Sequence, residues 1–327
     1  MAQYLRYRGL NEMPLQQPIY SVIIPTLDRF GSSERALRSA LACTGSADIE
    51  ILIVLNGEQI VSGLQLSDDL KLDTRVRVLY SPEVGAPAAR NYGVNHAKAD
   101  EIVFLDDDCV LATDFFVQLT SLRRSNPLFK AFVANALNPF QKNPYAAFWK
   151  AAFDLRLNLA SARRLGTGFV VDAFGNCFGI EKNTFQSIGG FDASMSGRED
   201  RDLLERLAKV GIPVLYFDEL KVEHFTRTKF WQVVRQFRWY GLGQNALLKK
   251  WHSTPTERAL PTSAILQVAM EQSGLSRWQL FPAVWARSLG YRLGLKRVGT
   301  QRTFNALVSH LNVMISSFLR SVKAVFT

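Results

Sequence analysis

Glu101-Ile102-Val103-Phe104-Leu105-Asp106-Asp107-Asp108 decides how this chain is read. The apolar run makes a short buried strand, and three carboxylates follow it at once. Like charges in a row repel, and left partly buried and unpaired they are costly. A divalent cation removes that cost. In extended backbone Asp106 and Asp108 point to one side, so both reach a single Mg²⁺ or Mn²⁺ ion or its waters. An ion held there bridges a pyrophosphate and neutralises a leaving group. The plainer alternative is a solvated turn whose Asp residues cap the next helix.

Three similar runs precede the triplet: Tyr20–Ile24, closed by Pro25; Ile49–Leu55, stopped by Asn56 and Gly57; and Val76–Tyr80. Helices are expected between them. Ser32 and Ser33 cap one that runs to about Cys43, with Leu37, Ala40 and Leu41 on one face. Gly85-Ala86-Pro87 opens another, with Pro87 in its first turn. Thr113 caps a third, after the triplet. Strands alternating with helices imply an α/β fold with a mainly parallel sheet and right-handed crossovers. Ligands bind such sheets beyond the carboxyl ends of the strands. Thr26 and Asp28 follow the first strand, Asn56 the second, and Asp106 to Asp108 the fourth.

A second acidic group opens a helix. In Gly197-Arg198-Glu199-Asp200-Arg201-Asp202, the following Leu203, Leu204, Leu207 and Val210 mark an apolar face, and Gly211 is a stop. Glu199 and Asp200 therefore sit at a helix N-terminus, which stabilises ionised carboxylate. Facing an acceptor hydroxyl, such a group is a general base; simple compensation of the helix dipole is the plainer reading. His224 ends a strand pattern, Val214–Phe217 with Lys221–His224, and is either a structural histidine or a further ligand of the same ion.

Composition narrows the class. Of 327 residues, 47% are hydrophobic and 21% charged, which suits a folded chain and argues against disorder. Cys43, Cys109 and Cys177 are far apart and form neither a disulfide framework nor a zinc site. The first residues lack the apolar core of a signal peptide, and no run of about 18 apolar residues suggests a spanning helix. The formal charge of +10 is uneven: from Lys221 onward there are 16 Lys/Arg against 3 Asp/Glu, whereas the rest carries 23 against 26. A basic segment attracts nucleic acid, anionic lipid or a phosphorylated substrate.

Taken in order from Tyr20 to His224, these features resemble the family 2 glycosyltransferases of GT-A fold. Ser21–Arg29 resembles the family's first strand and nucleotide loop. Ala89-Arg90-Asn91 with Gly93 resembles its A-R-N-x-G helix start, and Phe104–Asp108 its metal-binding D-x-D motif. Gly175–Gly179 with Phe185–Asp192 is similar to the acceptor-side segment. Glu199, Asp200, Asp202, Leu203 and Arg206 are similar to the E-D-x-D-L-x-x-R base motif, and Val222 to His224 to the V-x-H that follows. The resemblance implies a nucleotide-diphospho-sugar transferase fold over residues 18–224, with a basic helical extension over 225–327. It implies that Pro25, Thr26, Asp28 and Asn56 hold the nucleoside, with Arg90, Asp106 and Asp107 at the nucleotide. Asp106, Asp108 and His224 would hold Mn²⁺ or Mg²⁺, and Asp200 would be the base with Glu199 beside it. The family often has Asp just before the Asn-Gly that follows strand two. Leu55 stands there in this chain, so base recognition rests on Asn56 or another group; a UDP-sugar is the expected donor. The implied reaction is an inverting transfer to an acceptor hydroxyl in polysaccharide or cell-envelope glycan synthesis, on a glycan or lipid-linked acceptor.

The basic third is expected to be helical. Phe230, Val233, Val234, Phe237, Trp239 and Tyr240 make an aromatic helix closed by Gly241 to Gly243. Gln236 to Trp239 is similar to the Q-x-x-R-W of processive members, but one residue short, so no processivity is implied. Phe304, Val308, Leu311, Ile315, Phe318, Val322 and Val325 form an amphipathic pattern. With Arg287, Arg292, Lys296, Arg297 and Arg302, it would lie on an anionic membrane surface or pack as a helix or dimer seam. The expected location is cytoplasmic, at the inner face of the cell membrane. Two other classes were weighed. A nucleotidyltransferase would use the same carboxylates, but no Gly-rich basic loop follows the first strand. A nucleic-acid binder would stack bases on Trp231, Trp239 and Trp251, but the acidic triplet repels phosphate and no recognition module is present.

Overall fold

The computed structural model describes residues 18–27, 32–45, 48–56, 66–160, 164–165, 168–170, 176–195, 197–251 and 261–295. Asp28 and the pattern from Phe304 to Val325, with Lys296, Arg297 and Arg302, lie outside them.

The first half is a parallel α/β layer. Strands β1 (Tyr20–Thr26) and β2 (Ile49–Leu55) are buried along their whole length. Helix α1 (Ser32–Ala42) joins them, and α2 (Asp68–Leu72) leads into β3 (Val76–Tyr80). Helix α3 (Ala86–His96) then crosses to β4 (Glu101–Leu105). Strand β1 lies between β2 and β4 and runs parallel to both, with Val22 opposite Ile51 on one side and Val103 on the other. Strands buried on both faces read as continuous apolar runs, which is why periodicity located them. Each fully buried Ile or Leu in this layer contributes about 1.5–3 kcal/mol.

After β4 the chain reverses. Strand β5 (Cys109–Leu111) is followed by α4 (Phe115–Ser125), β6 (Ala131–Leu137) and α5 (Pro144–Ala160). Two short strands, β7 (Arg164–Leu165) and β8 (Gly168–Val170), precede β9 (Cys177–Glu181). Then come α6 (Lys182–Ser187), α7 (Glu199–Lys209) and the long β10 (Val214–His224). The sheet order is β3-β2-β1-β4-β9-β6-β10-β8-β7, with β5 on β10. Strand β9 is antiparallel to both β4 and β6, while β6 and β10 are parallel. The parallel pattern therefore holds for the first four strands, and the second half of the sheet is mixed.

Helices α8 (Phe230–Trp251), α9 (Thr262–Ser273) and α10 (Arg277–Leu295) complete the described chain. A second apolar core joins α5 to α9 and α10, through Phe148, Ala151, Ile265, Leu266, Leu280 and Val284. No described helix is long and apolar enough to cross a membrane.

Two local expectations are corrected. Asp114, not Thr113, is the N-cap of α4, and its side chain makes no capping bond; the Thr113 carbonyl instead accepts from the Thr44 N–H. Gly241 to Gly243 do not end α8, which continues through them to Trp251. The reason is packing: a Cβ on Gly243 would lie 2.2 Å from the Gly197 carbonyl oxygen. Glycine there admits the loop before α7 rather than stopping the helix.

Candidate active site

The acidic triplet is a turn, not the extended run expected from sequence. The Cys109 N–H donates to the Asp106 carbonyl at 3.0 Å, because the chain must turn from β4 into β5. The three carboxylates therefore fan out to different partners. Asp107 accepts from the Thr26 hydroxyl at 2.6 Å. Its burial pushes its pKa up to about 6, against that hydrogen bond. Asp106 accepts from Arg90 Nη2 at 2.7 Å and from Asn176 Nδ2 at 3.4 Å. Asp108 accepts from Arg227 Nη1 at 2.7 Å. Burial alone would raise Asp108, but His224 and Arg227 hold it below the ordinary carboxylate range.

The pairing of β5 with the end of β10 brings His224 to this turn, with His224 opposite Cys109. Its Nε2 lies 3.6 Å from Asp108 Oδ1 and 3.1 Å from Asn176 Nδ2. Its ring is buried against Trp149, with centroids 4.4 Å apart. Asn176 thus contacts Asp106 and His224, and His224 in turn approaches Asp108.

At the carboxyl ends of β1 and β2, Thr26 and Asn56 are both buried. The Asn56 side chain donates to the Thr26 carbonyl at 3.3 Å, so the ends of β1 and β2 are fastened together. Pro25 pairs with Val54 within the same strands.

Arg90, on α3, joins the two acidic groups. It donates to Asp106 Oδ1 at 2.7 Å and to Glu199 Oε1 at 3.0 Å. Burial would lower its pKa, but the two carboxylates raise it. Glu199 is buried, and that burial raises its pKa in spite of Arg90. Sequence placed Arg90 at the nucleotide and Glu199 beside the base; here the pair locks α7 to the end of β4.

The start of α7 is strained. Gly197 has φ +89°, and Arg198 is the one non-glycine residue among those described with positive φ, at 65°. A left-handed L-residue costs about 1–2 kcal/mol. The Arg198 guanidinium donates to the Tyr291 hydroxyl at 2.6 Å and lies over the Tyr240 ring, which holds the turn. Beyond it, Asp202 is fully buried and accepts from Arg206, Lys250 and Trp251, tying α7 to the end of α8. Asp200 accepts from the Arg201 backbone N–H at 2.7 Å and is half-buried on the wall of a cavity of about 150 Å³. Trp149, Phe237 and Tyr240 give that cavity aromatic walls, and Arg198, Arg227 and Arg287 line it with cations.

The residues fit a hard divalent ion in donor chemistry: two carboxylates and an imidazole. Cis ligands of such an ion are about 3 Å apart, near the Asp108–His224 separation. Among the described residues, no group of three His, Cys, Asp or Glu side chains is already gathered round one point. Arg90 and Arg227 hold the carboxylates in this state.

Sequence reasoning missed Asn176, Arg198 and Arg227. Asn176 lies in the segment likened to the acceptor side but carried no periodic or charge signal of its own. Arg227 sits in a polar stretch three residues past His224. The antiparallel β5–β10 pairing reveals Arg227, the antiparallel β4–β9 pairing brings Asn176 beside Asp106, and the left-handed turn before α7 brings Arg198 to Tyr291.

Comparison with known proteins bears on the family and the fold. The profile described as glycosyltransferase like family 2 matches residues 17–241. An uncharacterized glycosyltransferase, EpsJ of Bacillus subtilis, is 34% identical over 111 residues, covering 34% of this chain and 32% of its own length. The chain thus spans about a third of that relative. A glucosyl-dolichyl phosphate glucuronosyltransferase of Haloferax volcanii is 23% identical over 250 residues, covering 69% of this chain and 76% of its own. Among solved structures, a mannosyltransferase of Pyrobaculum calidifontis in complex with GDP-Man and Mn²⁺ superposes with a TM-score of 0.56 at 15% identity, over 91% of this chain and 81% of its own. That likeness shows the GT-A fold expected from sequence.

Proposed function

The chain belongs to the family 2 glycosyltransferases, and from that premise we propose that it is an inverting enzyme moving a sugar from a nucleotide-diphosphate donor to an acceptor hydroxyl, in polysaccharide or cell-envelope glycan synthesis. One observation carries the reading. Arg90 binds Asp106 and Glu199 together, so the carboxylates at the end of β4 and the first turn of α7 belong to one cleft.

Within it, Pro25, Thr26, Asp28 and Asn56 hold the nucleoside side, with Asp107 fixed by Thr26. Asp106, Asp108 and His224 would hold Mn²⁺ or Mg²⁺, which when bound neutralises charge on the diphosphate. Asp200, at the positive end of α7, takes the acceptor proton as the hydroxyl attacks the anomeric carbon. The diphosphate leaves from the opposite face and configuration inverts. Glu199 and Arg90 position Asp200 and Asp106. The cavity beside Asp200 takes the acceptor; its aromatic and cationic walls suit a glycan or a lipid-linked sugar. The dolichyl-phosphate relative supports the lipid-linked choice, and the Mn²⁺ and GDP-mannose of the solved mannosyltransferase support the metal and the donor class. UDP-sugars remain the donor expected from sequence.

The test is a panel of UDP-, GDP- and dTDP-sugars with and without Mn²⁺. One donor class is expected to raise the melting temperature only with metal and to release nucleoside diphosphate. Release of pyrophosphate instead would identify a nucleotidyltransferase and overturn the reading.

A further inference from the structure

We propose that α8 and α10 form a face that docks on an anionic lipid bilayer. Five large aromatic side chains stand out of these helices: Trp231 is 68% exposed, Trp285 51%, Trp278 48%, Trp239 40% and Phe281 36%, and of these Trp239 faces Gly197 instead. The other four are not scattered. Trp278, Phe281 and Trp285 fall three and four residues apart, on one side of α10. The Phe230 ring lies 5.0 Å from Trp231 and 5.0 Å from Trp285, so the strip continues across to α8. An aromatic surface of this kind on a folded chain marks a contact site.

Charge identifies the occupant. The 22 residues of α8 and 19 of α10 include no Asp or Glu. They carry Arg235, Arg238, Lys249, Arg277 and Arg292, besides Lys250, which is paired with Asp192 and Asp202, and Arg287, which faces the cavity. Lys229 and Arg277 stand exposed beside Phe230 and Trp278, and Arg235 lies one turn from Trp231. Indole rings settle at the headgroup level of a membrane while guanidinium and ammonium groups meet lipid phosphate. A second copy of this chain would oppose the same cations across the seam, which disfavours self-association. Since no described helix is long and apolar enough to cross a bilayer, the contact is one in which the helices lie on the surface. Ala283, Arg287 and Tyr291 wall the acceptor cavity from the other side of α10. One helix diameter, about 10 Å, therefore separates the docking face from that cavity. The proposal goes beyond the transfer reading and does not depend on it.

The experiment is co-sedimentation of the full chain with phosphatidylcholine vesicles, with or without phosphatidylglycerol. Binding is expected to require the anionic lipid. The Trp231→Ser/Phe281→Ser/Trp285→Ser variant is expected to bind roughly tenfold more weakly or worse, and because Trp231 and Trp285 each meet the Phe230 ring, its melting temperature is measured alongside. Should that variant fold poorly, brominated lipid in the vesicles is expected to quench tryptophan fluorescence of the unaltered chain. The proposal is overturned if the triple variant binds as well as the parent, if brominated lipid leaves the fluorescence unchanged, or if the parent ignores anionic vesicles. In that last case, self-association in sedimentation velocity or binding of a single-stranded oligonucleotide would show what the face serves.

Discussion

The two halves of this cleft are built by different means. On the nucleotide side, β1, β2 and β4 are buried strands whose ends carry Thr26, Asn56 and the acidic turn. Their polar side chains are fastened over short links: Thr26 to Asp107, Asn56 to the Thr26 carbonyl. On the acceptor side, Asp200 stands behind a strained turn held by residues from elsewhere in the chain, Arg198 by Tyr291 and Asp202 by Lys250 and Trp251. The first half is stiff because its strands are central in a sheet. The second depends on contacts between helices, and helices α8 to α10 can be loosened one contact at a time. In the proposed function, the diphosphate is held on the former and the acceptor is recognised on the latter.

The comparison is tested most severely by its two principal carboxylates. Asp200→Asn is expected to lower kcat by about 10²–10⁴-fold, the range of a positioned general base, while metal-assisted donor binding persists. Asp108→Ala is expected to do the converse: calorimetry should show the metal-dependent part of nucleotide binding lost. If both variants lost binding equally, the division between the halves would be wrong.

Arg90 joins the halves, so its removal should damage both. Arg90→Met leaves Glu199 buried without its cation, which costs about 3–5 kcal/mol in a buried pair. The expected result is a large fall in melting temperature. Adding Glu199→Gln to that variant should recover most of it, because the neutral amide no longer requires a counter-charge. No recovery would mean that Arg90 acts through packing alone.

A smaller effect separates the strained turn from the rest. Tyr291→Phe removes one hydrogen bond to a charged group, worth about 1.5–3 kcal/mol when formed between buried partners. Here part of that is returned by solvent, so kcat is expected to fall about threefold to tenfold with the donor KM unchanged. A rise in donor KM would tie Tyr291 to the nucleotide half instead.

The same contrast explains what the sequence disclosed. Strands β1, β2 and β4 were legible because a strand buried on both faces has no choice but to be apolar, whereas β3, half-buried at the sheet edge, still reads as β-branched and apolar residues around Arg77. Asp106, Asp108 and Asp200 drew notice as acidic residues at a strand end and a helix start, and only the resemblance to the family's motifs turned that notice into proposed roles. What they touch was not legible. The chain reverses at Asp106–Cys109, and only that turn and the β5–β10 pairing bring His224 and Arg227 to Asp108. Gly241 and Gly243 looked like a helix stop, since periodicity cannot distinguish a glycine that ends a helix from one that lets a neighbour approach. Leu55 left the nucleotide base open, and nothing described around Asn56 closes that question, because its amide is turned to the backbone of Thr26.

The smallest expected effect concerns the strap between Asp192 and α8. Lys250 donates to Asp192 Oδ2 at 2.6 Å, and Ser194 also bonds this carboxylate. The Lys250 hydrogen bond brings the Asp192 pKa down to about 2 from an ordinary value of 3.8. The folded state therefore favours the ionised form more than the unfolded chain does. The resulting stabilisation is complete above about pH 4 and is lost as pH falls from there toward about 2. Both partners are partly exposed, so solvent screening limits it to about 1 kcal/mol or less. Asp192→Asn is expected to melt about 2 °C lower than the parent at neutral pH. That gap should close as the pH is lowered through the same interval. A gap that stayed constant with pH would show that Asp192 acts through its turn with Ser194 and not through the charge of Lys250, and one of the contacts that bind α8 to the loop before α7 would be lost.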